Sequence, residues 1–179
     1  SDVCSSDLPW LTVAQNVGLG LGFQANKHAR TLESVDQILS DFGLAPVAHA
    51  YPSELSGGQA QRASLARTIV TRPRMLLLDE PFAALDPRTR ASLQDWLLDI
   101  SARRGLTVVI VTHDIDEALH LGDRVMLMSP RPGRILKIWD LERADQRVRG
   151  QHSASIRAEI LALYETDVTV STPAASWSI

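Results

Sequence analysis

The sequence predicts an α/β fold, a parallel sheet flanked by helices with a further helical part beside it. Residues 75–78 (Met-Leu-Leu-Leu) and 106–111 (Leu-Thr-Val-Val-Ile-Val) are short apolar runs, the pattern of strands buried on both faces of a parallel sheet. Between them Leu93, Trp96, Leu97 and Ile100 recur at helical spacing, which supplies a helix between the two strands. The first run ends in two adjacent carboxylates, Asp79 and Glu80, and the second leads to His113. In open α/β sheets, the carboxyl ends of strands are where ligands bind.

Size and charge narrow the class. A chain of 179 residues is one domain's worth and can bury a real core. Its 45% hydrophobic and 22% charged content is that of a soluble globular protein. A net charge of -3 gives no electrostatic case for a nucleic-acid partner or an acidic membrane surface. The longest apolar runs are too short to cross a bilayer. No secretory leader is expected, and the single cysteine, Cys4, excludes an internal disulfide and fits a reducing compartment.

In chain order, residues 1–7 are serine-rich, acidic and aperiodic, and read as a disordered leader foreign to the domain. Residues 13–22 predict a helix weakened by glycines, 23–30 a polar connection, and 31–42 an amphipathic helix with Leu32, Val35, Ile38 and Leu39 inward, ended by Gly43. Ser56-Gly57-Gly58-Gln59 opens another helix, whose buried side is Ala63, Ala66, Ile69 and Val70 and which Arg72-Pro73 stops. Two glycines at a helix start leave backbone N–H groups bare at the positive end of the dipole, which suits a phosphate; an ordinary serine-capped helix explains the same four residues. Asp79 and Glu80 point to opposite sides of their strand, so one suits a metal and the other a water molecule. A solvated acidic turn would account for an isolated pair equally well.

Asp86-Pro87 starts the next helix as N-cap and first helical residue, and Arg103-Arg104-Gly105 ends it. After the second strand come a short helix at 114–121, a strand at 123–128, a possible edge strand at 133–140, and a last helix at 154–164 with Ile156, Ile160, Leu161 and Tyr164 inward. Residues 166–179 lack periodicity and should be loose.

The order of these pieces is more specific than any one of them. Leu55-Ser56-Gly57-Gly58-Gln59, then Leu76-Leu77-Leu78-Asp79-Glu80-Pro81, then Ala84-Leu85-Asp86, then Val111-Thr112-His113-Asp114 resembles the signature, Walker B, D-loop and H-loop of the ATPase subunit of ATP-binding-cassette (ABC) transporters. The resemblance spans residue 8 to about 164 and implies a P-loop NTPase-like sheet with a small α-helical subdomain at about 13–72, within a partial ABC ATPase domain at 8–165. The family's G-x-x-x-x-G-K-[ST] loop has no counterpart, since no glycine here is followed by lysine. The resemblance therefore implies a fold missing the P-loop strand.

The resemblance also implies roles. Ser56, Gly57, Gly58 and Gln59 would contact the γ-phosphate of ATP bound to a second ATPase subunit in a head-to-tail homodimer. Asp79 would hold Mg²⁺, Glu80 would act as general base, His113 would bridge Glu80 and the γ-phosphate, and Asp86 would lie at the dimer interface. The partners implied are transmembrane permease subunits and, indirectly, a periplasmic or extracellular substrate-binding protein, with the subunit peripheral on the cytoplasmic face of the bacterial plasma membrane. Leu8-Pro9-Trp10-Leu11-Thr12-Val13, residues 112–119 and Ser129-Pro130-Arg131-Pro132-Gly133-Arg134-Ile135 resemble the nitrate, sulfonate and taurine importers, with thiamine-precursor importers similar. The alternatives are a soluble ABC ATPase acting on DNA or the ribosome, which the lack of sustained heptads and of a second signature disfavours, and a non-catalytic fragment.

Overall fold

A computed structural model describes residues 8–23, 34–130, 132–141 and 154–164. The expectations for residues 1–7, 24–30 and 166–179, and for Leu32, lie outside them. Two compact units emerge, the chain up to Val111 and the chain from Thr112.

The first unit begins with α1 (Val13–Gly18), capped by Thr12, whose hydroxyl accepts from Gln15 while the Gln15 side chain takes the Thr12 N–H. Asn16, 3% exposed, donates to the carbonyls of Leu8, Leu11 and Thr12 and accepts from the Leu8 N–H, which clamps residues 8–12 onto the helix. The predicted helix stops at Gly18 and tightens into a 3₁₀ turn, Leu19–Gly22. A Cβ at Gly20 would lie 2.7 Å from Thr71 Cγ2, so this glycine allows a close approach as well as weakening the helix.

Helix α2 (Val35–Asp41) begins later than predicted, because Ser34 is extended and caps it by accepting from the Gln37 N–H. Ile38 and Leu39 are buried as predicted, and Gly43 takes a left-handed φ of 64°. Helix α3 (Gly57–Ile69) buries Ala60, Ala63, Leu65, Ala66 and Ile69. Strand β1 (Met75–Asp79) follows, then α4 (Pro87–Arg104), then β2 (Thr107–Val111). Strands β1 and β2 pair in parallel, Met75 opposite Thr107 through Asp79 opposite Val111.

Both strands depart from the sequence expectation in one respect. They were expected to be buried on both faces, and one face is open: Met75 is 52% exposed, Leu77 71% and Val111 59%. Alternation explains it, since Leu76 faces the buried side while, among the described residues of the unit, nothing covers the Met75–Leu77–Val109–Val111 side. The core lies among the helices, with Phe42, Phe82, Ile38, Leu44, Ile69, Leu93 and Ile100 fully buried. Phe42 meets Trp96 edge-on at 4.8 Å, and Arg62 lies over the Trp96 ring.

In the second unit α5 (Ile115–Leu121) is capped by Asp114, and β3 (Arg124–Met128) pairs antiparallel with β4 (Ile135–Asp140). Helix α6 covers residues 154–164. Leu119, Val125, Trp139, Leu141, Ile156 and Ile160 form the core. Glu159 ties α6 to β4 by accepting from Lys137 and from Trp139 Nε1, and these bonds hold its carboxyl below the usual range. Arg157 bridges to Asp116 at 2.8 Å. Leu161 and Tyr164 are exposed, 40% and 53%, not inward as predicted. An eleven-residue helix offers one stripe, and Ile156 and Ile160, four apart, fill it.

Candidate functional site

The start of α3 is built by a reciprocal capping box. Ser56 Oγ accepts from the Gln59 N–H at 3.3 Å, and Gln59 Oε1 accepts from the Ser56 N–H at 2.9 Å. The Ala60 N–H goes to the Ser56 carbonyl. Those bonds satisfy every early donor of the helix except the N–H groups of Gly57 and Gly58. Helix geometry gives these two no partner within the helix, and both sit at the positive end of a 13-residue dipole. The serine-cap reading from sequence is therefore right in geometry, and it leaves the two glycine N–H groups available. The Ser56 hydroxyl accepts in the box and keeps its own proton to donate.

The two glycines have different reasons to be glycine. A Cβ at Gly58 would come within 2.9 Å of Thr89 Cγ2 on α4, so packing demands its absence. A Cβ at Gly57 would make an ordinary 3.5 Å contact with Leu85, so packing does not require glycine there. Gly57 is exposed, and its missing side chain bares backbone toward solvent.

These contacts bring the loop after β1 against the start of α3. Asp86 caps α4 through its Oδ1, which accepts from the N–H groups of Arg88 and Thr89 at 3.1 Å each. The Thr89 hydroxyl, then the backbone N–H groups, hold the Asp86 carboxyl below its usual range. Ser56–Gln59 and Asp86 thus share neighbours, Leu85, which the sequence reading quoted within Ala84-Leu85-Asp86, and Thr89, which it did not single out. No sequence signal marks Thr89, because its importance lies in what it touches.

Asp79 ends β1 in solvent. Glu80 follows with φ 46°, in the left-handed region that a non-glycine residue seldom occupies, and its N–H donates to the Val111 carbonyl at 2.9 Å. Phe82, fully buried, anchors the turn beyond it. Among the described residues the other non-glycine residue with positive φ, Arg72, also precedes a proline. Proline keeps the residue before it out of the right-handed helical region but favours extended backbone, so neither Arg72-Pro73 nor Glu80-Pro81 announced a left-handed φ in sequence. His113 is exposed in the second unit, beside the Thr112 hydroxyl that accepts from the Asp114 N–H. Its approach to Glu80 remains an expectation.

Among the described residues no group of three or more His, Cys, Asp or Glu side chains is placed to hold a metal. One exposed carboxylate, Asp79, fits Mg²⁺ of the kind that keeps most of its waters and is held otherwise by phosphate oxygens. It does not fit an all-protein cage.

Residues 3–83 match a family model described as "ABC transporter". The fold agrees: an ATP-binding cassette of an ABC transporter superposes with a TM-score of 0.63 at 25% identity, covering 74% of this chain and 56% of that one. A metal-chelate type ABC transporter superposes with a TM-score of 0.60 at 24% identity, covering 73% and 54%, a likeness of fold alone. A parallel strand that leads into two adjacent carboxylates, Asp79 and Glu80, beside a glycine-started helix and a capped second helix accords with these matches, and the chain is similar to the ABC transporter ATP-binding domains.

Among its relatives is the aliphatic sulfonates import ATP-binding protein SsuB 2 of Burkholderia cenocepacia, 44% identical over 159 residues, 88% of this chain and 57% of that protein. SsuB 1 of Pseudomonas aeruginosa is 47% identical over 155 residues, 86% of this chain and 60% of that protein. SsuB 2 of Agrobacterium fabrum is 47% identical over 156 residues, 87% and 57%. The chain spans somewhat over half the length of these relatives. Among the described residues no helix is long and apolar enough to cross a membrane.

Proposed function

We propose that the chain is part of the ATP-hydrolysing subunit of an ABC importer for a small anion, an aliphatic sulfonate first among the candidates. The observation that carries the reading is the capping box that leaves the Gly57 and Gly58 N–H groups available beside the Asp86-capped start of α4. The relatives' sulfonate names support the substrate class.

In this reading the Ser56 hydroxyl and the Gly57 and Gly58 N–H groups donate to the γ-phosphate of ATP held by a second copy, and Gln59 fixes the loop that presents them. Donors fixed before the phosphate arrives need no reorganisation in the transition state, which is where such stabilisation counts. Glu80 accepts a proton from the attacking water. Its left-handed backbone turns the side chain out of the alternation of β1, so Asp79 and Glu80 serve separate tasks. Mg²⁺, bound through Asp79 and phosphate oxygens, would supply charge neutralisation. His113 completes the arrangement beside the γ-phosphate, and Asp86 faces the second copy. Permease subunits, and through them a substrate-binding protein, receive the work, with this subunit peripheral on the cytoplasmic side of the membrane.

Two experiments test this. The chain contains no G-x-x-x-x-G-K-[ST] sequence, and that loop supplies most of the grip on a nucleotide. The chain alone should therefore show no ATP hydrolysis above background, and tight calorimetric binding of ATP by it would overturn the reading. For the substrate, deletion of the intact gene should abolish growth on an alkanesulfonate as sole sulfur source and leave growth on sulfate unchanged. Unchanged growth on sulfonates would remove them as the cargo.

A further inference from the structure

Thr89 stands where the two pieces of the candidate site meet. Its hydroxyl bonds the Asp86 carboxylate, and its N–H donates to Asp86 Oδ1 at 3.1 Å. Its methyl faces Gly58, so closely that a Cβ there would lie 2.9 Å from Thr89 Cγ2. Leu93, one turn along α4 on the same side, is fully buried, and its Cδ1 would lie 3.9 Å from that Cβ. Leu85 closes the side toward Gly57. It is pinned in turn: Arg90 Nη2 donates to its carbonyl at 3.1 Å, and its N–H donates to the Phe82 carbonyl at 3.2 Å. The first turn of α3 therefore rests on residues that the start of α4 holds in place.

The plain explanation is that Thr89 completes the cap of α4. That asks for a hydroxyl only, and serine supplies one. The methyl is a separate matter. Threonine in a helix divides between two χ1 rotamers. The bond to Asp86 selects one of them, and in that one the methyl abuts Gly58. Threonine carries hydroxyl and methyl on a single Cβ, so the cap fixes where the methyl stands, and the methyl fixes how near Gly58 comes. Donors to a reacting group need to be held within roughly 0.5 Å. Removing a methyl from this contact opens a gap wider than that.

We propose that Thr89 is a positioning residue for ATP hydrolysis, whose methyl group sets the place of the Gly57 and Gly58 N–H groups relative to the Asp86-capped start of α4. Thr89 acts through Gly58 and touches no nucleotide, a role that rests on Ser56–Gln59 being the γ-phosphate contacts.

Two measurements on the same variants test it. In the full chain, hydrogen exchange is followed by mass spectrometry at submicromolar concentration. The N–H groups of Gln59 and Ala60, bonded at the start of α3, should exchange faster in Thr89→Ser and no faster in Thr89→Val. In a cassette completed with a P-loop-bearing segment, Thr89→Ser and Thr89→Ala should lower kcat about tenfold to a hundredfold. KM for ATP should change little, because the opposite copy grips the nucleotide. Thr89→Val, which keeps the methyl and loses the hydroxyl, should stay close to the parent. Ile100→Val removes one methyl from the buried side of α4 toward its other end, and should leave both kcat and the exchange of Gln59 and Ala60 unchanged. Rates that follow the hydroxyl, with Thr89→Ser active and Thr89→Val inactive, would overturn the proposal. So would parent-like turnover or exchange in Thr89→Ser, or an equal loss of kcat in Ile100→Val, which would reduce the effect to stability. Glu80→Gln assayed alongside keeps the two claims apart. If it loses turnover while Thr89→Ser keeps it, the role of Thr89 falls alone; if it retains turnover, the reading of the site falls and takes that role with it.

Discussion

Glu80 shows what a single residue can carry against its own conformational preference. A left-handed φ costs a non-glycine residue roughly 1 kcal/mol, so Glu80→Gly should raise the stability of the chain by about 0.5–1 kcal/mol in chemical denaturation. The same change should abolish hydrolysis in an intact cassette. A Glu80→Gly chain less stable than the parent would mean that the glutamate side chain holds the turn. Gly58 gives the complementary case. Gly58→Ala places a methyl 2.9 Å from Thr89 Cγ2, and Thr89 cannot swing away without giving up its hydroxyl bond to Asp86. We expect a loss of about 1–3 kcal/mol, largely restored by adding Thr89→Ser, which keeps the hydroxyl and removes the methyl. A double-mutant cycle that comes out additive would contradict this coupling.

At the scale of elements, caps and stops were legible and surroundings were not. Asp86-Pro87, Gly43 and Arg103-Arg104-Gly105 mark their helix ends in sequence because capping is local chemistry. The contact of Thr89 with Gly58 was invisible because a contact 30 residues away leaves no local trace. Likewise β1 and β2 read as doubly buried, since an all-apolar run says what a strand tolerates and not what covers it. The Asp41–Arg104 pair, joining α2 to α4, offers an electrostatic check. Burial raises the Asp41 carboxyl, but hydrogen bonds from Arg104 and Gln37 more than offset it, and the net shift is downward. A depressed folded value means stability that is present above the ordinary aspartate range and lost as pH falls through the folded value. Asp41→Asn should therefore lower Tm at neutral pH, with the difference from the parent shrinking below about pH 4. An undiminished difference in acid would assign the effect to packing.

For the whole molecule, the open sheet faces are the dominant fact. Met75, Leu77, Val109 and Val111 lie on one face of β1 and β2, and Met126, Met128 and Ile138 on one face of β3 and β4, all more than a third exposed. Two-stranded sheets with apolar faces and free strand edges are marginal alone and prone to pairing. The chain should bind a hydrophobic dye and self-associate at micromolar concentration, and Leu77→Lys with Val111→Lys should reduce both. A dye-negative monomer would show that these faces are covered in solution. The central claim, that this chain carries the signature and general-base part of an ABC ATPase site, is tested most directly in an intact cassette completed with a P-loop-bearing segment, by comparing Glu80→Gln with the parent in a single-turnover ATP assay. The account predicts nearly unchanged ATP binding and a hydrolysis rate lowered roughly 100- to 10,000-fold. Turnover close to that of the parent would contradict it.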